Sequence, residues 1–146
     1  MARKKFAFYH DVLGNYATQL SKIASMDFLK ATTEKALTES KEYVTAKLHQ
    51  DMKNHHRTGR TESSIDDDLK VEWKGSQAQV KVGFKISEGG LASIFLMYGT
   101  PRREPTPMEA DKKLYNDVYG TATQRKVNEI QQKVFEDAIR QVMEEK

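Results

Sequence analysis

His49, His55 and His56 fall within eight residues of one another with Asp51 between them, and imidazole beside carboxylate is a metal-ligating combination. His49 and His56 are seven residues apart and share a helix face. The familiar zinc pair on a helix is four apart, with a third ligand brought from elsewhere. No cysteine occurs in the chain and no third ligand has a suitable spacing, so the histidines are read as solvated groups at a helix end. Asp66-Asp67-Asp68 lacks the alternating oxygen ligands and the glycine of a calcium loop, and reads as a charged loop ahead of a strand. Ser63 and Ser64 have no sequence context that supplies a base or an oxyanion hole. Gly89-Gly90 lacks the lysine and the spacing of a phosphate loop. The expectation is therefore a protein without catalytic residues, bound metal or cofactor. Two arginine pairs remain, Arg57/Arg60 and Arg102/Arg103, with Arg3-Lys4-Lys5 a weaker basic cluster. Guanidinium groups on loops suit forked pairing with carboxylate or phosphate.

The elements that would carry these side chains follow from hydrophobic spacing. At 146 residues the expectation is a single domain, 1–146. The net charge of +3, with basic and acidic residues mixed along the chain, argues against a nucleic-acid partner. The absence of cysteine suits a reducing compartment, and no apolar run is long enough to span a bilayer. Residues 1–7 read as a flexible basic arm. Val12, Leu13, Tyr16, Leu20 and Ile23 then recur at helical spacing, and Asp27 is expected to cap the next helix. From Phe28 to Asn54 no glycine or proline intervenes, and Leu29, Leu37, Val44, Leu48 and Met52 form one stripe.

Alternation of Leu69, Val71 and Trp73 with Lys70, Glu72 and Lys74 predicts a strand. A turn at Lys74-Gly75-Ser76-Gln77 and a second alternating run, Val80 to Ile86, complete a hairpin. Leu91–Tyr98 is apolar without alternation, and its period does not separate a buried strand from a short buried helix. Residues 87–107 read as a mobile loop region around it, stiffened by Pro101, Pro105 and Pro107. A last helix carries Val127, Ile130, Val134, Ala138 and Val142, capped by Thr121 or Thr123. The expected fold class is α+β: a small antiparallel sheet, the hairpin plus a third segment, packed against a long helix and a C-terminal helix. Its core would join Trp73, Val82, Phe84 and Ile94 to Leu37, Val44, Ile130 and Val134.

In order along the chain stand Arg57-Thr58-Gly59, Ser64-Ile65, the hairpin, Tyr98-Gly99-Thr100, Pro105/Pro107 and the final helix. This order, over roughly residues 25–146, resembles the neck and tail-component (head–tail joining) family of long-tailed bacteriophages. Met97 stands where an acidic residue commonly precedes the aromatic-Gly-Thr of that family. The resemblance implies a structural virion protein without enzymatic activity, assembled in the host bacterial cytoplasm. It would form a homo-oligomeric ring, six-fold or twelve-fold, that joins the head connector to the tail tube as a tail-completion, tail-terminator or neck collar protein. Partners would be head-completion and connector proteins and the tail tube protein, with viral DNA passing the lumen without sequence-specific binding. Arg57, Thr58, Gly59, Tyr98, Gly99 and Thr100 would be structural. Arg102, Arg103, Glu88, Gly89 and Gly90 would face a neighbouring subunit. The alternative is a small nucleic-acid-binding regulator using the arginine pairs, for which no basic helix face and no aromatic stacking pattern speaks.

Overall fold

The computed structural model describes residues 2–100 and 108–145, with side chains from Leu13 onward. Its helices are α1 (Ala2–Ile23), α2 (Met26–Met52), α3 (Leu91–Tyr98), α4 (Lys112–Tyr119) and α5 (Thr121–Glu144). Strands β1 (Glu72–Lys74) and β2 (Gln77–Gln79) pair antiparallel with Trp73 opposite Ala78. The fold is thus mainly helical with one small hairpin, α+β in the broad sense. Helix α1 begins at Ala2, so the residues read as a basic arm are its first turns. Ser25, not Asp27, caps α2: its Oγ accepts from the Phe28 N–H at 3.2 Å. Asp27 sits in the first turn, where its charge suits the helix dipole.

Helix α2 is the long uninterrupted helix expected, and α5 is its principal neighbour. The two run in opposite senses. At one end Lys22, just before α2, reaches Glu145 just past α5 at 3.0 Å. At the other end Asp51 of α2 pairs with Lys113 of α4, which leads into α5. The turn between α4 and α5 needs Gly120, since a Cβ there would stand 2.4 Å from the Asn116 carbonyl oxygen. No side chain caps α5. Thr123 is buried instead, its hydroxyl donating to that same carbonyl at 3.2 Å.

The hairpin is shorter than the alternating pattern. Its turn falls at Gly75-Ser76, with Gly75 at φ +62°, as the sequence indicates. The second run then leaves β1 at Val80. Gly83 takes φ +132°, its carbonyl accepts from the Asp66 N–H at 2.8 Å, and the Lys85 N–H donates to the Ser64 carbonyl at 2.7 Å. Phe84 therefore pairs with Ile65 instead of extending the sheet. The third segment is helix α3 and not a strand, so among the described residues the sheet has two strands. Ser93 and Met97, one turn apart, face inward, and Gly90 and Gly99 bracket the helix. Within 87–107 a single 3-10 turn at Ile86–Glu88 and α3 replace the expected loop as far as Thr100, and residues 101–107 lie outside the described residues.

The core sits under the far end of α2, where Leu48, Met52, Ile65, Met97 and Leu114 are buried and Phe84, Leu96 and Val118 pack against them. Val44 and Val134 are buried as expected, and Leu37, Trp73, Phe84 and Ile130 are half-buried. Val82 and Ile94 are exposed, contrary to the expected core. Val82 lies in the unpaired part of the hairpin run, and Ile94 lies on the outer face of a helix whose period turns it away from Met97.

Leu48 is fully buried, so Leu48→Ala is expected to cost about 3–5 kcal/mol in chemical denaturation, through lost transfer energy and the cavity left behind. A loss under about 1 kcal/mol would place the core elsewhere. Gly99 takes φ +74°, and a Cβ on it would meet the Met108 carbonyl oxygen at 2.7 Å. Gly99→Val should lower the melting temperature clearly, while Gly14→Ala in open space within α1 should leave it unchanged or raise it. Equal effects would remove the backbone argument.

Candidate assembly surface

The three central histidines do not converge. His49 pairs with Asp67 at 2.9 Å, His55 with Asp111 at 2.6 Å and His56 with Glu62 at 3.1 Å. Each is thus tied to a different carboxylate, rather than simply solvated at a fraying helix end. The His55 contact, first, and then the Lys113 and Leu114 N–H groups hold the Asp111 carboxyl below its ordinary range, against the effect of burial. Asp111 is the N-cap of α4, so this pair fixes where α4 starts against the end of α2.

A second polar cluster, absent from any motif, joins the same two helices. Asp51 is 2% exposed, and its Oδ1 accepts from Lys113, which also reaches Asp117 Oδ2 at 3.0 Å. Lys47 donates to Asp117 Oδ1 at 2.7 Å. Burial first, and the Asp117 carboxyl beside it, push the Asp51 carboxyl above its ordinary range, while Lys113 pulls the other way. Burial also acts against ionised Asp117, but hydrogen bonds from Lys47 and Lys113 prevail and hold it at about 2. One carboxylate is thus kept charged while its neighbour resists charging. Lys47 and Lys113 are raised, each chiefly by its hydrogen bond to a carboxylate, Asp117 and Asp51 respectively. Farther along α2, Lys41 is 1% exposed; its ammonium meets the Asp68 carbonyl and the Asp66 carboxylate, the latter at 3.5 Å. The aspartate run ahead of the hairpin therefore anchors that loop to α2.

Of the motif residues, Gly59 and Gly99 take positive φ, and Thr58 and Thr100 accept backbone hydrogen bonds. Gly59 takes φ +71°, and the Thr58 hydroxyl accepts from the Arg60 N–H at 3.4 Å. The Thr100 hydroxyl accepts from the Met108 N–H at 3.1 Å, closing a bridge between those two residues. Arg57 is exposed and makes no ion pair among the described residues. Gly89 packs on Arg60, where a Cβ would come within 2.9 Å of the Arg60 side chain, and Gly90 lies against the Lys85 carbonyl. Glu88 is exposed and 3.7 Å from Lys85. Arg102 and Arg103 lie outside the described residues.

What sequence reasoning missed is an apolar surface. On α3, Leu91, Ile94, Phe95 and Tyr98 recur at helical spacing and all face outward. Tyr98 meets Tyr115 of α4 edge to face at 5.6 Å between ring centroids, and Tyr115 meets Tyr119 at 5.1 Å. The result is an aromatic row continuous with the apolar face of α3. The signal is in the sequence as the charge-free run Leu91–Tyr98, which reads as buried, and the Tyr115/Tyr119 pair one helical turn apart. Among the described residues no group of three or more His, Cys, Asp or Glu side chains is placed to hold a metal ion, and no helix is long and apolar enough to cross a membrane. A scan against protein-family models finds no match, and neither does a search of curated proteins or of solved structures.

Asp117 supplies the pH test. Its folded value of about 2 lies below the ordinary 3.8, so its contribution is fully present above about pH 4 and is lost as pH falls toward 2. Asp51, raised on folding, acts in the opposite sense near its own titration. Asp117→Asn is expected to cost about 2 kcal/mol at pH 7, with the difference from the parent shrinking below pH 4. Urea denaturation at pH 7 and pH 3 measures this, and an equal cost at both would contradict the ion pairing of Asp117 with Lys47 and Lys113.

Proposed function

We propose that the chain is a structural protein of the head–tail neck of a long-tailed bacteriophage, a collar, terminator or completion factor that repeats around the axis between head connector and tail tube. The observation that carries the reading is the ordered set Arg57-Thr58-Gly59, Ser64-Ile65, hairpin, Tyr98-Gly99-Thr100 and C-terminal helix. In that set both glycines take positive φ, the Thr58 hydroxyl accepts from the Arg60 N–H, and the Thr100 hydroxyl accepts from the Met108 N–H. A continuous exposed apolar surface on α3 and α4 supports it further, since large exposed apolar patches mark association surfaces. Ring closure uses one surface of each subunit against a different surface of the next. In this reading the chain is no enzyme, binds no cofactor, and lets DNA pass without reading it. Arg102 and Arg103 pair with carboxylates of an adjoining neck protein or subunit.

Interrupting this coding sequence in the virus that carries it should leave filled heads and free tails, and adding the purified chain to such an extract should restore joined particles. Arg102→Glu with Arg103→Glu should fold normally by circular dichroism and fail to restore them. Joined particles from the interrupted virus would contradict the reading. Binding to duplex DNA that weakens steeply with salt would instead favour a nucleic-acid regulator.

A further inference from the structure

The two ends of the α2–α5 pair carry different apolar faces. At the α4 end is the row described above, on α3 and α4. At the other end α1 is held to α5 by polar contacts: the Gln19 amide donates to the Met143 carbonyl at 3.1 Å, and Lys22 pairs with Glu145. Leu13, Tyr16 and Leu20 of α1, one stripe by spacing, are left 66%, 51% and 60% exposed. Beside them Tyr16 and Met143, with the polar Asn15, Thr18 and Gln19 and the Lys22–Glu145 pair, line an open cleft of about 800 Å³ between α1 and the end of α5. From Leu13 to Ser21 this helix has no charged residue, and neither has Leu91–Tyr98. A helix with an uncovered apolar stripe is marginal by itself and draws its stability from packing.

We propose that the occupant of each face is the other face of a second copy: α3 and the tyrosine row of one chain seat on the α1 stripe and cleft of the next. Three observations select this occupant. The faces lie at opposite ends of an α5 about 36 Å long, by 1.5 Å per residue, so one chain does not join its own two faces. Neither apolar stripe, Leu13–Ser21 or Leu91–Tyr98, contains a charged residue, as the buried middle of an interface requires, and the Lys22–Glu145 pair at the cleft would lie in its polar rim. The exposed parts of Leu91, Ile94, Phe95, Tyr98, Tyr115 and Tyr119 amount to roughly 600 Å², close to the ~800 Å² per partner of a standard interface once a polar rim is added. The contact is head to tail, so it propagates from chain to chain instead of ending at a pair. It rests on the collar reading for its biological setting, and it names the surfaces that reading leaves open.

The chain has no cysteine, so single cysteines report the contact without background. Leu20→Cys and Tyr98→Cys replace exposed side chains and should fold as the parent does. Under mild oxidation at high protein concentration, the mixture of the two variants should form disulfide dimers, and neither variant alone should. A chain carrying both cysteines should give a ladder of multimers. Phe95→Glu added to that chain should reduce cross-linking roughly tenfold or more while leaving the circular dichroism unchanged. Dimers of Tyr98→Cys alone would show like faces pairing and overturn the proposal, as would no cross-link in the mixture. Light scattering on the uncross-linked parent separates the two claims: a closed ring without the mixed cross-link sinks this contact and spares the collar. The mixed cross-link with intact head–tail joining in the interrupted virus does the reverse.

Discussion

A carboxylate buried at the end of the longest helix sets the geometry of half the domain. Asp51 is charged only with difficulty where it lies; its Oδ1 accepts from Lys113 on another helix, and its buried Oδ2 has no hydrogen-bond partner among the described residues. Lys113 and Lys47 also hold Asp117, so α4 is bound to α2 at two carboxylates sharing two ammonium groups. Buried ion pairs add little net stability compared with apolar packing, yet breaking one leaves an unpaired buried charge, so they discriminate strongly against misplaced neighbours. Position is what this cluster contributes. With His55 on Asp111 it fixes both the start of α4 and its rotation.

From that rotation the outer surface follows. Leu114 and Val118 turn into the core, and Tyr115 and Tyr119 turn outward beside Tyr98. The Asp111 N–H donates to the Leu96 carbonyl at 2.7 Å, which ties α3 to the same joint. The aromatic row is therefore displayed by a polar lock beneath it. An apolar face held in fixed shape loses little entropy on association, and that favours it as a docking surface over a loose one. At the other end of α5, α1 is attached through exposed polar contacts, and its apolar stripe is left exposed by the described residues.

Much of the frame was legible in the sequence because it depends on local signals. The run from Phe28 without glycine or proline gave α2, Gly75 gave the hairpin turn, and Gly59 and Gly99 stand at positive φ, where glycine is favoured. Illegible features depended on distant partners. Lys41 and Asp51 are buried because Asp66, Asp68 and Lys113 arrive from outside α2, and no spacing within that helix announces them. Phe84 leaves the hairpin for Ile65 because Gly83 redirects the chain, although alternation alone continues through it. Leu91–Tyr98 reads as buried by composition, yet only Ser93 and Met97 are. A charge-free segment looks the same whether its cover is its own chain or a neighbour's.

Amide hydrogen exchange measured on the free chain and on assembled material tests that last distinction directly. In the free chain α2 and α5 should be well protected and α1 should exchange fast, since its stripe is uncovered. On assembly, protection should rise in residues 13–23 and 91–98 together and change little in α2. Unaltered exchange in both segments, with new protection confined to the hairpin, would contradict the account.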